Sequence, residues 1–409
     1  MKKTRTIYIL FALALLGLLA FFCWKYIETK KDALSSLPLL KITLPDDAPP
    51  LERDKWMSNC NVRLYVDGGE SVYNSTYAEI EGRGHSTFAQ PKKPFNLKLD
   101  KKESLLGMPA RERWVLLACF FDHALMRNAL GQAVARQTSL APTTSEGRFV
   151  RLVINEEEIG VYYLCENVRD VMEEATTLLL EFDTYAISED KTVFRTSLDS
   201  LPVSVRNPKK LIASARKRIT DQIDTVESSP AGNVDFDTFA DYFLVQELCQ
   251  NGELNGPRSC YMHILPDGRM AAGPVWDFDL AFISVGVDQG NDLRPLRKAG
   301  MPGVRLLTAD SLYNARSLWY GRLLQDSSFV AHVKSRWQLL KPRFEGLTAH
   351  MDSLDNLIRP SAIADQQKWN SLEPARFDTC TTYPSAFETL KATYRTRIVK
   401  LDSLVNSLE

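Results

Sequence analysis

The sequence lacks the features that mark several common classes of protein. It has no internal repeats, no glycine or proline tracts and no long runs of one charge. Basic and acidic residues nearly cancel, 50 against 51, so no bulk charge favours binding to nucleic acid. With 44% hydrophobic and 10% aromatic residues in 409, the composition is that of a globular protein with one large domain or two ordinary ones.

Cysteines are few and follow no disulfide pattern. The chain has seven, with no CxxC pair and no even spacing. Cys119 and Cys165 lie in apolar, strand-like runs, where a buried free thiol is the simplest interpretation. An exported protein could still oxidise some of Cys60, Cys249, Cys260 and Cys380, and the sequence does not decide how they would pair.

The N-terminus carries a long hydrophobic run behind a basic flank. Lys2, Lys3 and Arg5 precede 18 uncharged residues, 7–24, a length that can span a bilayer. The positive-inside rule then places residue 25 onward outside the cytoplasm. The exit of a cleaved signal peptide is poorly matched here, so we predict a single-pass inner-membrane anchor with a periplasmic main domain. Secretion after signal cleavage is the alternative.

Hydrophobic patterning predicts an α+β chain, with strands in the first third and mostly helices in the last. We expect a cytoplasmic tail at 1–6, the anchor at 7–24, a linker at 25–37, a main domain at 38–345 and a helical C-terminal extension at 346–409.

Local patterns predict individual elements of that main domain. Strands are expected at PLLKITLP, NVRLYV, TYAEIEGRG and FNLKLD, a hairpin at RFVRLVIN and GVYYLCEN, and a helix from Asp235. A second hairpin turns at Asp267-Gly268. Residues 170–232 are rich in Ser, Thr and Asp, and we predict an irregular insertion there.

The segment EGRGHSTF, residues 81–88, is a candidate phosphate-binding turn. Gly82 and Gly84 with Ser86 and Thr87 could present backbone N–H groups to an anion, although an ordinary glycine turn is the commoner reason for such a pair. The following strand carries Lys98, for which an ordinary surface position is the competing interpretation.

A polar loop and an acidic pair stand on either side of the second predicted hairpin. QNGELNGPRSCY, residues 250–261, includes Glu253, Arg258 and Ser259. GPVWDFDLAF, residues 273–282, places Asp277 and Asp279 two apart in an apolar run that we interpret as a strand, so that both carboxylates face one side. Two such charges repel unless a cation lies between them, and Mg²⁺ is bound by one or two carboxylates plus phosphates.

The order of these segments is that of protein kinases. A glycine turn, a strand lysine, a polar loop, a hairpin and an Asp-Phe pair follow one another, and in kinases they converge on ATP, Mg²⁺ and a hydroxyl acceptor.

The sequence resembles the CotH family of atypical kinase-like proteins, first associated with bacterial spore coats. The matching segments include EGRGHSTFAQPKKPFNLKLD, ERWVLLACFFDHALMRNAL and GPVWDFDLAF, in the family's order over roughly residues 38 to 345. The form is similar to Bacteroides-type members. The resemblance implies an atypical protein-kinase-like fold, with a β-rich N-terminal lobe and a mainly helical C-terminal lobe.

The resemblance also implies roles for particular residues. Asp277 would ligate Mg²⁺ with Asp279 supporting it, Lys98 or else Lys93 would hold the ATP phosphates, and the 82–87 turn would cover the nucleotide. Glu166 matches an acidic position near the expected adenine. Glu253 and either Arg258 or Ser259 stand where active members carry the loop Asp and the metal-binding Asn. Asp122 and Arg127 match a family motif that we interpret as a structural ion pair.

The function implied is Mg²⁺-dependent transfer of the ATP γ-phosphate to Ser or Thr of exported proteins. The alternative is a non-catalytic, kinase-like envelope assembly protein that keeps the fold and binds nucleotide. Protein substrates and the membrane are the expected partners, nucleic acid is not, and the oligomeric state is left open.

Overall fold

The described part of the chain begins with a closed β-barrel. The computed structural model describes residues 37–173, 178–187, 193–208, 210–282, 311–369, 380 and 382–409. The barrel strands are β1 (Leu39–Thr43), β2 (Met57–Tyr65), β3 (Ser71–Gly82), β4 (Phe95–Glu103), β5 (Arg111–Leu117), β6 (Gly147–Ile154) and β7 (Glu157–Glu166). Their order around the barrel is β1-β2-β3-β4-β5-β7-β6, closed by the parallel pair β1 and β6.

Alternating side chains fill the barrel, as the strand patterns predict. In β4, Phe95, Leu97 and Leu99 are buried, and the residues between them are more exposed. They pack with Trp114 and Tyr162 from β5 and β7 in one apolar cluster. Because successive side chains on a strand point to opposite faces, this pattern fixes which face of each strand lies inside.

A second, smaller sheet corrects the prediction for residues 170–232. That region is not an irregular insertion, because it contributes three strands and two helices. The strands β8 (Leu179–Phe182), β9 (Val193–Arg195) and β10 (Pro202–Asn207) join β11 (Cys260–Ile264) and β12 (Met270–Ala272) in the order β12-β11-β8-β10-β9. The predicted hairpin at Asp267-Gly268 is confirmed as β11 and β12.

The described ranges contain seven α-helices, most of them in the C-terminal part. They are α1 (Arg127–Ala135), α2 (Val168–Glu173), α3 (Ala213–Ser228), α4 (Phe236–Leu248), α5 (Tyr320–Leu323), α6 (Ser327–Trp369) and α7 (Tyr383–Asn406). Asp235 caps α4 by accepting a hydrogen bond from the Thr238 backbone N–H, which confirms the predicted start of that helix. The molecule therefore has a β-rich N-terminal part and a helical C-terminal part, and the α+β prediction is confirmed at that level.

The helix α6 runs for 43 residues and passes without a break through the predicted boundary between the main domain, 38–345, and the C-terminal extension, 346–409. It accommodates Pro342 and Pro360 in its interior. Among the described residues, no helix, α6 included, combines the length and apolar character needed to cross a membrane. The predicted anchor at 7–24 lies outside the described residues.

A buried ion pair fastens the end of α6 to the barrel. The Lys92 Nζ lies 2.7 Å from the Asp365 Oδ1, and the two side chains are 1% and 5% exposed. Lys92 also donates to the Val161 carbonyl at 2.6 Å, while the Val161 backbone N–H donates to Asp365 at 2.7 Å. Each charge is therefore paired and hydrogen-bonded, as a buried charge must be to be tolerated.

Replacing Lys92 should destabilise the protein far more than replacing an exposed lysine. Lys92→Met leaves the Asp365 carboxylate buried without its cation, which costs about 3–5 kcal/mol. The matched control is Lys41→Met, because Lys41 pairs with Glu156 at 2.7 Å while the side chains are 30% and 75% exposed. An exposed pair contributes at most about 1 kcal/mol. Denaturant unfolding measures both, and equal losses would contradict the structural role of Lys92.

Candidate active site

A cavity of about 440 Å³ lies between the barrel and the second sheet. Its walls come from the turn after β3, from the segment that follows β7, from β8 to β10, from the loop after α4 and from the segment after β12. The lining residues that matter below are Arg83, Gly84, Ser86, Thr87, Asn128, Tyr185, Glu253, Arg258, Ser259, Trp276, Asp277 and Asp279. The three segments singled out in the sequence thus meet at one place.

The acidic pair lies on an irregular segment, so the strand predicted at 273–282 is wrong. Strand β12 ends at Ala272, and the next six residues have no regular structure. Asp277 adopts a φ of 60°, in the left-handed region, which a strand residue does not. Asp277 and Asp279 nevertheless line the same cavity. Phe278 between them is buried against α1, where it faces Gly131.

Three side chains interact with the acidic pair. Asn128 on α1 donates to the Asp279 Oδ1 at 2.5 Å and accepts from the Phe278 backbone N–H at 3.0 Å. Asn251 donates to the Asp277 carbonyl at 3.1 Å. Ser259 lines the same cavity, and its side chain lowers the pKa of Asp277. Helix α1 and the loop after α4 therefore both hold the segment that carries the two carboxylates.

Burial and mutual repulsion raise the pKa values of both aspartates. Burial, followed by the charge of Asp277, raises the pKa of Asp279 to about 7. Burial also raises the pKa of Asp277, while the charges of Arg83 and Arg258 oppose this. Because the negative charges disfavour one another here, a cation bound between them would be stabilised.

Glu253 stands in the loop after α4, on the same cavity. Its side chain accepts from the Arg258 Nε at 2.9 Å, and the Arg258 backbone N–H donates to its carbonyl at 3.0 Å. Burial, followed by the charge of Asp277, raises the pKa of Glu253 to about 8, and Arg258 opposes that rise. A carboxylate with a pKa near neutral can accept a proton from a reacting group, which is the requirement for a general base.

The predicted phosphate turn borders the cavity. Gly82 ends β3, while Gly84, Ser86 and Thr87 line the cavity. Gly84 has a φ of 83°, and a Cβ there would lie 2.1 Å from the Thr87 Oγ1, so this position requires glycine.

The predicted phosphate lysines and the predicted adenine-side acid lie elsewhere. Lys98 is on β4, 2.9 Å from Glu79 and 3.7 Å from Glu112, and does not line the cavity. Lys93 donates to the carbonyls of Phe88 and Gln90. Glu166 is buried in an ion pair with Arg111 at 2.8 Å. The structure does not bring these three residues to Glu253 and Asp277.

Two other sequence expectations are settled by contacts outside the cavity wall. The Arg127 Nε lies 3.5 Å from the Asp122 Oδ1 with both side chains buried, which confirms the predicted structural ion pair. The six cysteines of the described ranges are free, and Cys119 and Cys165 are buried thiols as predicted.

The sequence reasoning missed Arg83 and Asn128. Arg83 stands between Gly82 and Gly84, and Asn128 directly follows Arg127 on α1. Their positions were available in the sequence, but nothing local distinguishes them from surface residues. Only the packing of the turn and of α1 against residues 276–280 brings them to the acidic pair.

The donor set suits one kind of metal site. The described residues contain no group of three or more His, Cys, Asp and Glu side chains arranged to hold a metal ion. Asp277, Asp279 and the Ser259 hydroxyl offer only oxygen atoms, and fewer of them than a protein-only cage needs. Mg²⁺ fits this arrangement, because it is bound through one or two carboxylates with waters and substrate phosphates completing the shell.

The fold and cavity define a two-part α+β protein whose acidic site lies between the barrel and the second sheet. Comparison with protein-family models then identifies it. The model of the CotH kinase protein family matches residues 80–400, and the chain belongs to that family. No curated protein matches the chain. Family membership indicates a kinase-like function with ATP as the donor, a divalent metal and a protein substrate.

Gly131 should be essential for placing the acidic pair. A Cβ at Gly131 would lie 2.4 Å from the Phe278 Cγ, so Gly131→Ala must displace the aromatic ring between the two aspartates. We expect a loss of about 1–3 kcal/mol in the free energy of unfolding, as for other overpacked cores.

Gly346→Ala is the matched control for that change. Gly346 lies within α6, and nothing lies within 4 Å of a Cβ built there. Alanine is the better helix former, so this variant should gain up to about 1 kcal/mol. Denaturant unfolding compares the two, and a Gly131→Ala protein as stable as the wild type would refute the packing of Phe278 on α1.

Proposed function

We propose that the protein is a kinase that transfers the γ-phosphoryl group of ATP to Ser or Thr hydroxyls of exported proteins, with Mg²⁺. One observation carries the proposal. Glu253, Asp277 and Asp279 line one cavity together with the glycine turn, although they come from three separate segments of the chain. We further propose that the barrel and the helical part are the two lobes of an atypical protein-kinase fold.

The acidic pair is assigned to the metal. Asp277 and Asp279 would hold Mg²⁺, with Ser259 contributing its hydroxyl. Bound there, the ion supplies electrostatic neutralisation of the phosphate charges. The chain's own contribution is orientation, since Asn128, Asn251 and Phe278 fix the position of the two carboxylates before any ligand arrives.

Glu253 is assigned to the acceptor. Its carboxylate takes the proton of the acceptor hydroxyl as the hydroxyl oxygen bonds to the γ-phosphorus, and the bond from that phosphorus to the β,γ-bridging oxygen breaks to release ADP. Arg258 positions the Glu253 carboxylate through its 2.9 Å hydrogen bond. The low exposure of Glu253, 7%, keeps bulk water away from the group that receives the proton.

A second candidate is nucleotide binding without transfer, in an envelope assembly protein. The specific observation in its favour is the Glu253–Arg258 ion pair, in which both side chains are only 10% exposed. A carboxylate held in this way is less available to an acceptor. Ser259 is also a weaker metal ligand than the Asn carbonyl that active relatives are expected to carry.

The location is proposed from the sequence. Residues 7–24 suit a single-pass anchor in the inner membrane, and the basic residues before them favour a main domain on the periplasmic side.

A transfer assay on the full chain tests the proposed activity. The chain is incubated with Mg²⁺, γ-labelled ATP and a generic acceptor protein. Glu253→Gln removes the proton acceptor and keeps the size of the side chain, so we expect transfer to fall by about a hundredfold or more while Mg²⁺-ATP binding is retained. Asp277→Asn should abolish the Mg²⁺ dependence of binding.

The control for these variants is Glu156→Gln, because the Glu156 side chain is 75% exposed and lies outside the cavity. Its transfer rate should equal that of the wild type. A wild-type chain that binds Mg²⁺-ATP without transferring phosphate would favour the second candidate. A chain that does not bind Mg²⁺-ATP would overturn both.

A further inference from the structure

Arg83 lies at the start of the turn that borders the cavity. It stands between Gly82, the last residue of β3, and Gly84, whose φ of 83° is in the left-handed region. Its side chain lines the cavity and its guanidinium carbon lies 5.6 Å from the centre of the Trp276 ring. Trp276 directly precedes Asp277, so the cation is held beside the acidic pair by an aromatic face.

The other arginines that line the cavity already have interaction partners. Arg206 lies 2.9 Å from Glu181, and Arg258 lies 2.9 Å from Glu253. Arg53 is 3.4 Å from Asp54, and Arg169 has a partner as well. Arg83 is different, because among the described residues no carboxylate forms a salt bridge with it. Its guanidinium has five N–H donors, and the residue lines the same cavity as the carboxylates of Glu253, Asp277 and Asp279.

Arg83 interacts with both aspartates without pairing with either. Its charge lowers the pKa of Asp277 and of Asp279, against the larger effect of burial. The cavity of about 440 Å³ that Arg83 lines together with these two aspartates leaves space for a further group. An oxyanion there could be contacted by the arginine from one side and by a cation on the carboxylates from the other.

The lysines on β4 and in the segment just before it cannot supply that contact from where they lie. Lys98 is shared between Glu79 and Glu112, and Lys93 is satisfied by two carbonyl groups. Lys92 is buried against Asp365. Each would have to break an existing ion pair or hydrogen bond before it could reach a ligand in the cavity.

We propose that Arg83 is the cationic ligand of the nucleotide's phosphate chain, in the position that the sequence assigned to Lys98. The inference rests on the proposed function, since it names the group that holds the donor's phosphates in the same cavity. The ligand class is a polyphosphate, and Arg83 is assigned to the phosphates and not to the adenosine. Arginine suits the role because its planar fork can donate two hydrogen bonds to one phosphate.

Binding measurements on the full chain separate Arg83 from Lys98. Thermal unfolding is followed with Mg²⁺-ATP, with Mg²⁺-tripolyphosphate and with adenosine, for the wild type, Arg83→Gln and Lys98→Gln. Arg83→Gln should weaken the binding of ATP and of tripolyphosphate by at least about tenfold, because a charge-assisted contact is lost, and leave adenosine binding unchanged. Lys98→Gln should bind all three as the wild type does.

The other patterns contradict the assignment of Arg83, the proposed kinase function, or both. Equal losses for adenosine and ATP would make Arg83 a structural residue on Trp276. A loss confined to Lys98→Gln would restore the lysine. Tripolyphosphate binding that depends on Arg83, in a chain that does not bind ATP, would overturn the proposed kinase function and support the anion subsite. No binding of either polyphosphate to the wild type would overturn both.

Arg83→Lys sharpens the comparison. It keeps the charge and removes the planar fork, so we expect polyphosphate affinity between those of the wild type and Arg83→Gln. Without ligand, the unfolding temperatures of Arg83→Gln and Lys98→Gln should both lie close to that of the wild type, since both side chains are partly exposed.

Discussion

Two carboxylates that share one partly buried cavity constrain the rest of this site. Asp277 and Asp279 repel one another, and burial makes the repulsion stronger, as their raised pKa values indicate. This repulsion is unfavourable, and groups that favour the ionised forms lie around the pair. Asn128 donates a hydrogen bond to Asp279, and the charges of Arg83 and Arg258, together with Ser259, lower the pKa of Asp277. A cation bound by both carboxylates, as we propose, would relieve the repulsion that remains.

Buried ion pairs away from the cavity position the elements that build it. Glu247 at the end of α4 lies 2.9 Å from Arg397 on α7, and neither side chain is exposed. The same carboxylate accepts the backbone N–H groups of Tyr313 and Asn314. The loop that carries Glu253 leaves α4 directly after this junction, so its starting point is fixed by the helical part. The Lys92–Asp365 pair likewise fastens the barrel to α6, and the barrel carries the turn with Arg83.

The sequence predicted elements whose pattern is local. The alternation of β4, the hairpin of β6 and β7, and the capped start of α4 are each contained in a short run of residues. The strand β8 was not predicted because all four of its residues are buried, so its sequence shows no alternation. The polar residues around it also dominate the local pattern. GPVWDFDLAF was misjudged as a strand because alternation does not reveal the left-handed conformation of Asp277.

Some of the residues that line the cavity were singled out in the sequence and others were not, because a sequence shows local patterns and not contacts between distant segments. Asp277, Asp279, Glu253 and the glycine turn could be found because their residue types and order are themselves the signal. The choice between Lys98 and Arg83 depends on contacts between strands. Lys98 lies opposite Glu79 in β3 and Arg113 in β5, and this register places Glu79 beside it, a fact that no local pattern contains.

The assignment of a metal to the acidic pair is the centre of the account, and anomalous scattering tests it most directly. Crystals of the protein are grown with Mn²⁺, which shares the preference of Mg²⁺ for oxygen ligands, and a non-hydrolysable ATP analogue. The account predicts an anomalous peak at coordination distance, about 2.1 Å, from carboxylate oxygens of Asp277 or Asp279, with the phosphates on its other side. Bound nucleotide with no peak at either aspartate, or a peak at other residues, would contradict it.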